Sequence, residues 1–183
     1  GIKKIKVFKK ANVVLFSSGD ELIKPDRFIK EGEVYASSMY MLKELILKSG
    51  CKIKTYKILK DKNSIIFNNF KQINNVDLII TTGGVSVGKK DLIKPVISKL
   101  DFDLKFWKVS VMPGKPILFG FLKKVPFFGL PGNPVSSYVC FILFVLKAIN
   151  KMNKLALLHR KCAETAKWTL TWRIYFSFFR INV

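Results

Sequence analysis

The stretch Val76-Asp77-Leu78-Ile79-Ile80-Thr81-Thr82-Gly83-Gly84-Val85-Ser86-Val87-Gly88 decides the fold. Its first half, apolar but for Asp77, reads as a buried strand, and its second half is a glycine-rich loop. Beyond it Leu92, Ile93, Val96, Ile97 and Leu100 recur at helical spacing. Pro95 is compatible with that helix only if it begins close to Asp91, because proline fits the first turn and no later one. Strand, glycine loop and helix in succession form the repeating unit of a parallel sheet with crossover connections.

The same alternation continues on both sides. Upstream, Val13-Val14-Leu15-Phe16 is a short apolar run that ends at Ser17-Ser18-Gly19 and enters a loop reaching to about Glu33. Met39, Leu42, Leu45 and Ile46 predict a helix over 39–48, with Ser37 or Ser38 as its cap and Gly50 at its end. Ile53, Tyr56, Ile58 and Leu59 predict a strand. Asp61 or Asn63 then caps a helix with Ile65, Ile66, Phe70 and Ile73 on its apolar face. Downstream, 102–111 and 117–122 read as an extended pair around Met112-Pro113-Gly114-Lys115-Pro116, and 127–130 as a further strand. Pro131-Gly132-Asn133-Pro134 leads into an apolar helix over 135–150, with Asn133 as N-cap and Pro134 as the first helical residue. The expected fold is α/β, a three-layer α/β/α domain with a mostly parallel sheet, over residues 1–150. Residues 151–183 read as a tail, aromatic around 168–176, that begins a second domain.

Composition narrows the chemistry. With 183 residues, 49% of them hydrophobic, the chain is large enough for one well-packed domain and too apolar for wholesale disorder. Its longest apolar run, from Tyr138 to Leu146, falls short of the roughly 20 residues a membrane span needs, so no membrane role is expected. The N-terminus carries charge with no apolar stretch behind it, unlike a secretory signal, and lacks Met, which suggests a fragment or processed chain. Cys51, Cys140 and Cys162 are far apart and form no Cys-x-x-Cys pair, which fits a reducing cytoplasm. A single histidine, His159, argues against imidazole zinc sites and a Ser-His-Asp triad, so any metal is a hard cation held by oxygens. Lys and Arg outnumber Asp and Glu by 33 to 12, for a net charge of +21. Most of this charge is scattered lysine, the pattern of a solvated surface, and no helix combines the Arg and Asn that base reading favours.

Ligands of open parallel sheets bind beyond the carboxyl ends of the strands. The loops 18–21, 81–88 and 130–134 all lie there. The loop containing Thr82, Gly83, Gly84, Ser86 and Gly88 has two readings. Its glycines admit an anion to backbone N–H groups, or they serve a tight strand-to-helix turn. Pro131, Gly132, Asn133 and Pro134 open a helix whose free N–H groups also suit phosphate. Lys115 sits in a stiff turn between Gly114 and Pro116, either as a fixed cation or as an exposed tip. Glu21, Asp61 and Asp91 each follow a strand or open a helix. One by one they read as caps or solvated loop residues; together they suit magnesium, which takes a few carboxylates and substrate phosphates.

The ordered set Ser18-Gly19-Asp20-Glu21-Leu22, Thr82 to Gly88 with Asp91, Phe106-Trp107-Lys108, Pro113-Gly114-Lys115-Pro116 and Gly129-Leu130-Pro131-Gly132-Asn133-Pro134-Val135-Ser136 closely resembles the molybdopterin molybdenumtransferase family, which includes the gephyrin E domain. The resemblance covers roughly residues 12–150 and implies the MogA-like fold of molybdenum cofactor biosynthesis. It implies insertion of molybdenum from molybdate into adenylylated molybdopterin with release of AMP and help from Mg2+. It further implies a homodimer of the full-length protein, a catalytic and metal-binding role for Glu21, Asp61 and Asp91, and substrate contacts from the glycine loop, Lys108, Lys115 and residues 131–134. Departures from the family pattern are Met112 where a basic residue is usual, Ala36 and Ser38 where Asp and Asn are usual, and Lys89-Lys90 before Asp91. The family's N-terminal domains are absent, and the segment after Asn150 matches its small β-domain poorly. Rival readings are the adenylyltransferase of the same fold, a non-catalytic pterin-binding scaffold, and a basic nucleic-acid binder whose affinity would fall steeply with salt.

Overall fold

The computed structural model describes residues 3–4, 9–85 and 91–153. In chain order the elements are β1 (Asn12–Ser18), β2 (Leu22–Ile23), β3 (Val34–Tyr35), α1 (Ser37–Lys48), β4 (Lys52–Leu59), α2 (Asn63–Lys71) and β5 (Leu78–Thr82). Then come α3 (Ile93–Ile97), β6 (Phe102–Trp107), β7 (Leu118–Leu122), β8 (Val125–Leu130) and the long helix α4 (Pro134–Met152).

Six strands form one sheet in the order β4-β1-β5-β8-β7-β6. The contacts β4–β1, β1–β5 and β5–β8 are parallel, and β8–β7 and β7–β6 are antiparallel. The apolar runs 13–16 and 78–80 form central strands whose residues are buried on both faces, the condition that makes a parallel strand read as continuously apolar. Alternate residues go to opposite layers. Val13, Leu15, Leu78 and Ile80 pack with Met39, Leu42 and Ile46 of α1 and with Cys140, Phe141, Val145 and Ile149 of α4. Val14, Phe16 and Ile79 pack with Ile66 and Phe70 of α2 and with Ile93, Val96 and Ile97 of α3. The three-layer α/β/α arrangement is therefore as expected.

Helix α4 contains a π segment, Phe141–Val145, between α-helical turns. Among the described residues it is the one helix long and apolar enough, by length and composition, to cross a membrane. The expectation of no such segment rested on the uninterrupted apolar run alone. Here its Cys140, Phe141, Val145 and Ile149 side chains enter the core.

The predicted helix starts need correction in their caps. Neither Ser37 nor Ser38 caps α1; its N-cap is Ala36, without a side-chain bond. The Ser38 hydroxyl instead donates to the Gly132 carbonyl at 2.6 Å. Lys62 rather than Asp61 or Asn63 stands at the start of α2, and Leu92 rather than Asp91 at the start of α3, both without side-chain capping. Pro95 falls in the first turn of α3, where it removes no helical hydrogen bond. Asn133 does cap α4, its side chain accepting from the Ser136 N–H at 3.1 Å, with Pro134 first in the helix. After β1 comes a small parallel pair, Leu22–Ile23 with Val34–Tyr35; its first strand lies inside the span predicted to be a loop and its second just past the end of that span. The aromatic stretch expected around 168–176 and the proposed second domain lie outside the described residues.

Candidate functional site

Successive parallel strands run outward from β1 in both directions, since β1 is followed in the sheet by β4 on one side and β5 on the other. That reversal is a topological switch point, and it opens a crevice at the carboxyl ends of β1 and β5. A cavity of about 600 Å³ occupies it, a size suited to a small organic ligand. Ser17 and Ser18 of β1, Thr82 of β5 and Pro131 after β8 all line it.

Most of the expected residues converge there. Glu21, Asp61 and Asp91 line the cavity, as do Thr82, Gly83 and Gly84 and, from the third loop, Pro131, Gly132, Asn133 and Pro134. Ser86 and Gly88 lie outside the described residues. Lys108 and Lys115 do not line it, although Pro116, next to Lys115, does. The ammonium of Lys108 sits 4.5 Å from the ring centre of Trp107, and that of Lys94 is 3.4 Å from the same ring. The Trp107 indole N–H donates to the Val85 carbonyl at 3.1 Å, which fixes the base of the glycine loop.

The glycines have a clear steric reason. Gly83 and Gly84 have φ of +82° and +64°. A Cβ on Gly83 would lie 2.5 Å from the Ser18 carbonyl oxygen, and one on Gly84 would lie 2.8 Å from Ile93 Cγ1. The Gly83 N–H donates to the Leu130 carbonyl at 3.1 Å, so this donor ties two strand ends together. Of the two readings of this loop, the turn geometry accounts for Gly83 and Gly84 directly.

The third loop is braced in the same manner. The Pro131 carbonyl accepts from the Thr82 hydroxyl at 2.7 Å and from the Ser137 hydroxyl, and the Gly132 carbonyl accepts from Ser38. Thr82 is buried, so its hydroxyl is a brace between β5 and the α4 entry. On the acidic side, the Ser18 hydroxyl donates to Asp61 Oδ1. The Asp61 N–H donates to Asp20 Oδ1 at 3.1 Å, and Lys60 Nζ donates to the Asp20 carbonyl at 2.8 Å. The Asp61 carboxylate is thus held from β1, while its backbone and Lys60 tie the loop after β4 to Asp20. Among the described residues no three acidic, Cys or His side chains gather closely enough to hold an ion by themselves.

The Pro113-Gly114-Lys115-Pro116 turn is anchored on α4. Gly114 has φ +126°, its carbonyl accepts from the Cys140 thiol at 3.4 Å, and a Cβ there would lie 2.6 Å from that sulfur. Burial pushes the Cys140 thiol up to about 11, because the anion is poorly solvated in the core. A raised folded-state value makes the contribution to stability complete below about pH 9, the ordinary value, and lost as pH rises towards 11. We expect denaturant melts between pH 8 and pH 10.5 to lose stability more steeply in the native chain than in Cys140→Ala. The difference should be on the order of 2 kcal/mol. Equal slopes would remove Cys140 as the cause.

Several lining residues were missed by sequence reading: Ser18 and Ser38 as hydrogen-bonding groups, and Val34 and Tyr35 as a wall. Ser18 was visible within Ser18-Gly19-Asp20-Glu21, whereas Val34 and Tyr35 become recognisable only once the β2–β3 pairing is known.

Residues 14–151 match the family described as a probable molybdopterin binding domain. A Haemophilus influenzae protein named molybdopterin molybdenumtransferase is 37% identical over 153 residues, covering 83% of this chain and 38% of that protein. The Drosophila melanogaster molybdenum cofactor synthesis protein cinnamon is 38% identical over 144 residues, covering 78% of this chain and 24% of that protein. The chain therefore spans well under half the length of these curated relatives. Among solved structures, the molybdopterin biosynthesis moea protein from Pyrococcus horikosii superposes with a TM-score of 0.74 at 30% identity, over 84% of this chain and 38% of that one. A structure titled molybdenum cofactor biosynthesis protein B shares the fold, with a TM-score of 0.57 at 18% identity over 83% of this chain and 98% of that one. With three quarters of its length matched by the family pattern, this chain belongs to the molybdopterin-binding domain family.

Proposed function

We propose that this chain is the central domain, over residues 1–150, of a molybdopterin molybdenumtransferase. The whole protein would insert molybdenum from molybdate into adenylylated molybdopterin and release AMP. One observation carries this reading: three carboxylates, the glycine loop and the Asn133-capped helix entry line a single cavity at the sheet's switch point. The relatives named molybdopterin molybdenumtransferase support it.

The cavity's electrostatics bear on magnesium. Its described lining has three carboxylates and no Lys, Arg or His, although the chain as a whole carries +21. A pyrophosphate would meet only like charge there without a counter-ion. Glu21, Asp61 and Asp91 present hard oxygen donors, and magnesium binds through one or two carboxylates, waters and substrate phosphates rather than through a complete protein cage. The donor set therefore fits that ion, with Glu21, Asp61 and Asp91 as the residues that would hold it. When bound, magnesium would neutralise the phosphates and ease departure of the AMP group. The protein's own contribution is positional. Ser18 orients the Asp61 carboxylate, the Gly83–Leu130 and Thr82–Pro131 hydrogen bonds hold two loops at the cavity floor, and Asn133 with Pro134 presents the α4 entry. Lys115 would add a cation at the rim, beside Pro116. We assign Lys108 to the Trp107 ring. The reading includes a homodimer of the whole protein and a cytoplasmic location, to which the free, buried Cys51 and Cys140 are suited.

The test is AMP release from adenylylated molybdopterin by the full-length protein, with magnesium and molybdate each supplied or withheld. We expect release to require both. No release under any combination would reject the transferase reading, and AMP transfer from ATP to molybdopterin instead would favour the adenylyltransferase.

A further inference from the structure

We infer that Tyr35 is a stacking platform for the flat, fused heteroaromatic ring of the ligand; the inference rests on the proposed function and assigns a place to one part of its substrate. Tyr35 and its neighbour Val34 line the cavity, yet they remain 41% and 48% exposed. The short β2–β3 pair that presents them exists through few bonds: the Val34 N–H donates to the Glu21 carbonyl at 2.9 Å and the Ala36 N–H to the Ile23 carbonyl at 3.0 Å. Those bonds tie the platform to Glu21, one of the cavity carboxylates. The Tyr35 hydroxyl donates to the Arg27 carbonyl at 3.1 Å, so the polar end of the side chain is tethered within its own loop.

A tyrosine held at its hydroxyl and open elsewhere has little freedom left to lose on binding, which is what makes such rings effective contact surfaces. The chemistry of the ligand follows from the lining. The carboxylates account for a cation with phosphates, and a phosphate has no apolar face to set against an exposed tyrosine ring. A fused bicyclic heteroaromatic does, because every such ring has a π face. Adenine and a pterin share this property, and the experiment separates them.

Affinities of the full-length protein are measured for AMP, 6-hydroxymethylpterin and ribose 5-phosphate, in wild type, Tyr35→Leu and Tyr35→Phe. One ring compound should weaken about tenfold in Tyr35→Leu, the scale of a lost base–aromatic stack. It should stay within about threefold of wild type in Tyr35→Phe, with ribose 5-phosphate unchanged throughout. The ring that responds identifies which half of the substrate Tyr35 receives. If Tyr35→Leu binds both ring compounds as wild type does, or weakens ribose 5-phosphate equally, the platform is overturned. Wild type binding neither ring compound overturns it too. Failure of AMP release in the turnover assay, with ring binding intact, would count against the transferase reading and leave the platform standing.

Discussion

Asp61→Asn in the full-length protein should lower turnover by on the order of 10²-fold while leaving the fold intact, within about 1 kcal/mol of wild-type stability. Asparagine keeps the shape of the side chain and an oxygen able to accept from the Ser18 hydroxyl, so the link between β1 and the loop after β4 survives. The backbone bond from Asp61 to Asp20 is untouched. What disappears is one of three negative charges in a cavity whose described lining has no Lys, Arg or His, and with it one of the proposed magnesium holders. Steady-state kinetics over a magnesium titration, alongside thermal unfolding, separates the two effects. Excess magnesium should recover part of the rate. Wild-type turnover in this variant would take Asp61 out of the proposed chemistry.

The second large effect concerns stability. Gly83→Ala should cost about 3 kcal/mol, because it combines a left-handed backbone with contact against main chain that cannot rotate away. Its Cβ would stand 2.5 Å from the Ser18 carbonyl oxygen, and the Gly83 N–H is committed to Leu130. Gly32 supplies the control. It has nearly the same φ, +79°, but nothing within 4 Å of an added Cβ, so Gly32→Ala should cost only about 1 kcal/mol. Chemical denaturation of both variants isolates the steric part. Equal losses would mean that backbone conformation alone accounts for Gly83 and that its close approach to β1 contributes nothing.

The parts of this fold that could be read in advance are those where one physical requirement dominates. Val13 to Phe16 and Leu78 to Ile80 must be apolar on every residue because helices cover both faces of the sheet. Asn133-Pro134 is legible because a side-chain acceptor followed by a preset φ serves few purposes other than starting a helix. Gly83 and Gly84 mark a turn whichever ligand approaches it. Elsewhere several requirements compete for one residue. Asp61 has the composition of a cap, but a serine from another strand holds its carboxylate, and that partner is 43 residues away. The β7–β8 turn is made by Lys123 and Lys124 at φ of 49° and 65°, positions where Asn or Gly would have announced a two-residue hairpin. β2 and β3 are two residues each, too short to show any period. Lys108 and Lys115 carry the right charge for an anion site, yet a charge pattern says nothing of direction, and Lys108 lies against Trp107.

The hydrogen bonds that join Gly83 to Leu130, Thr82 to Pro131 and Ser38 to Gly132 have a consequence for recognition. They tie the end of β5 and the start of α1 to three consecutive residues at the end of β8, so the corner cannot deform at one point without straining the others. A ligand arriving there meets groups that have already surrendered their motion when the chain folded. Little ordering is left for the encounter itself, and discrimination between similar ligands then rests on fit rather than on adaptation.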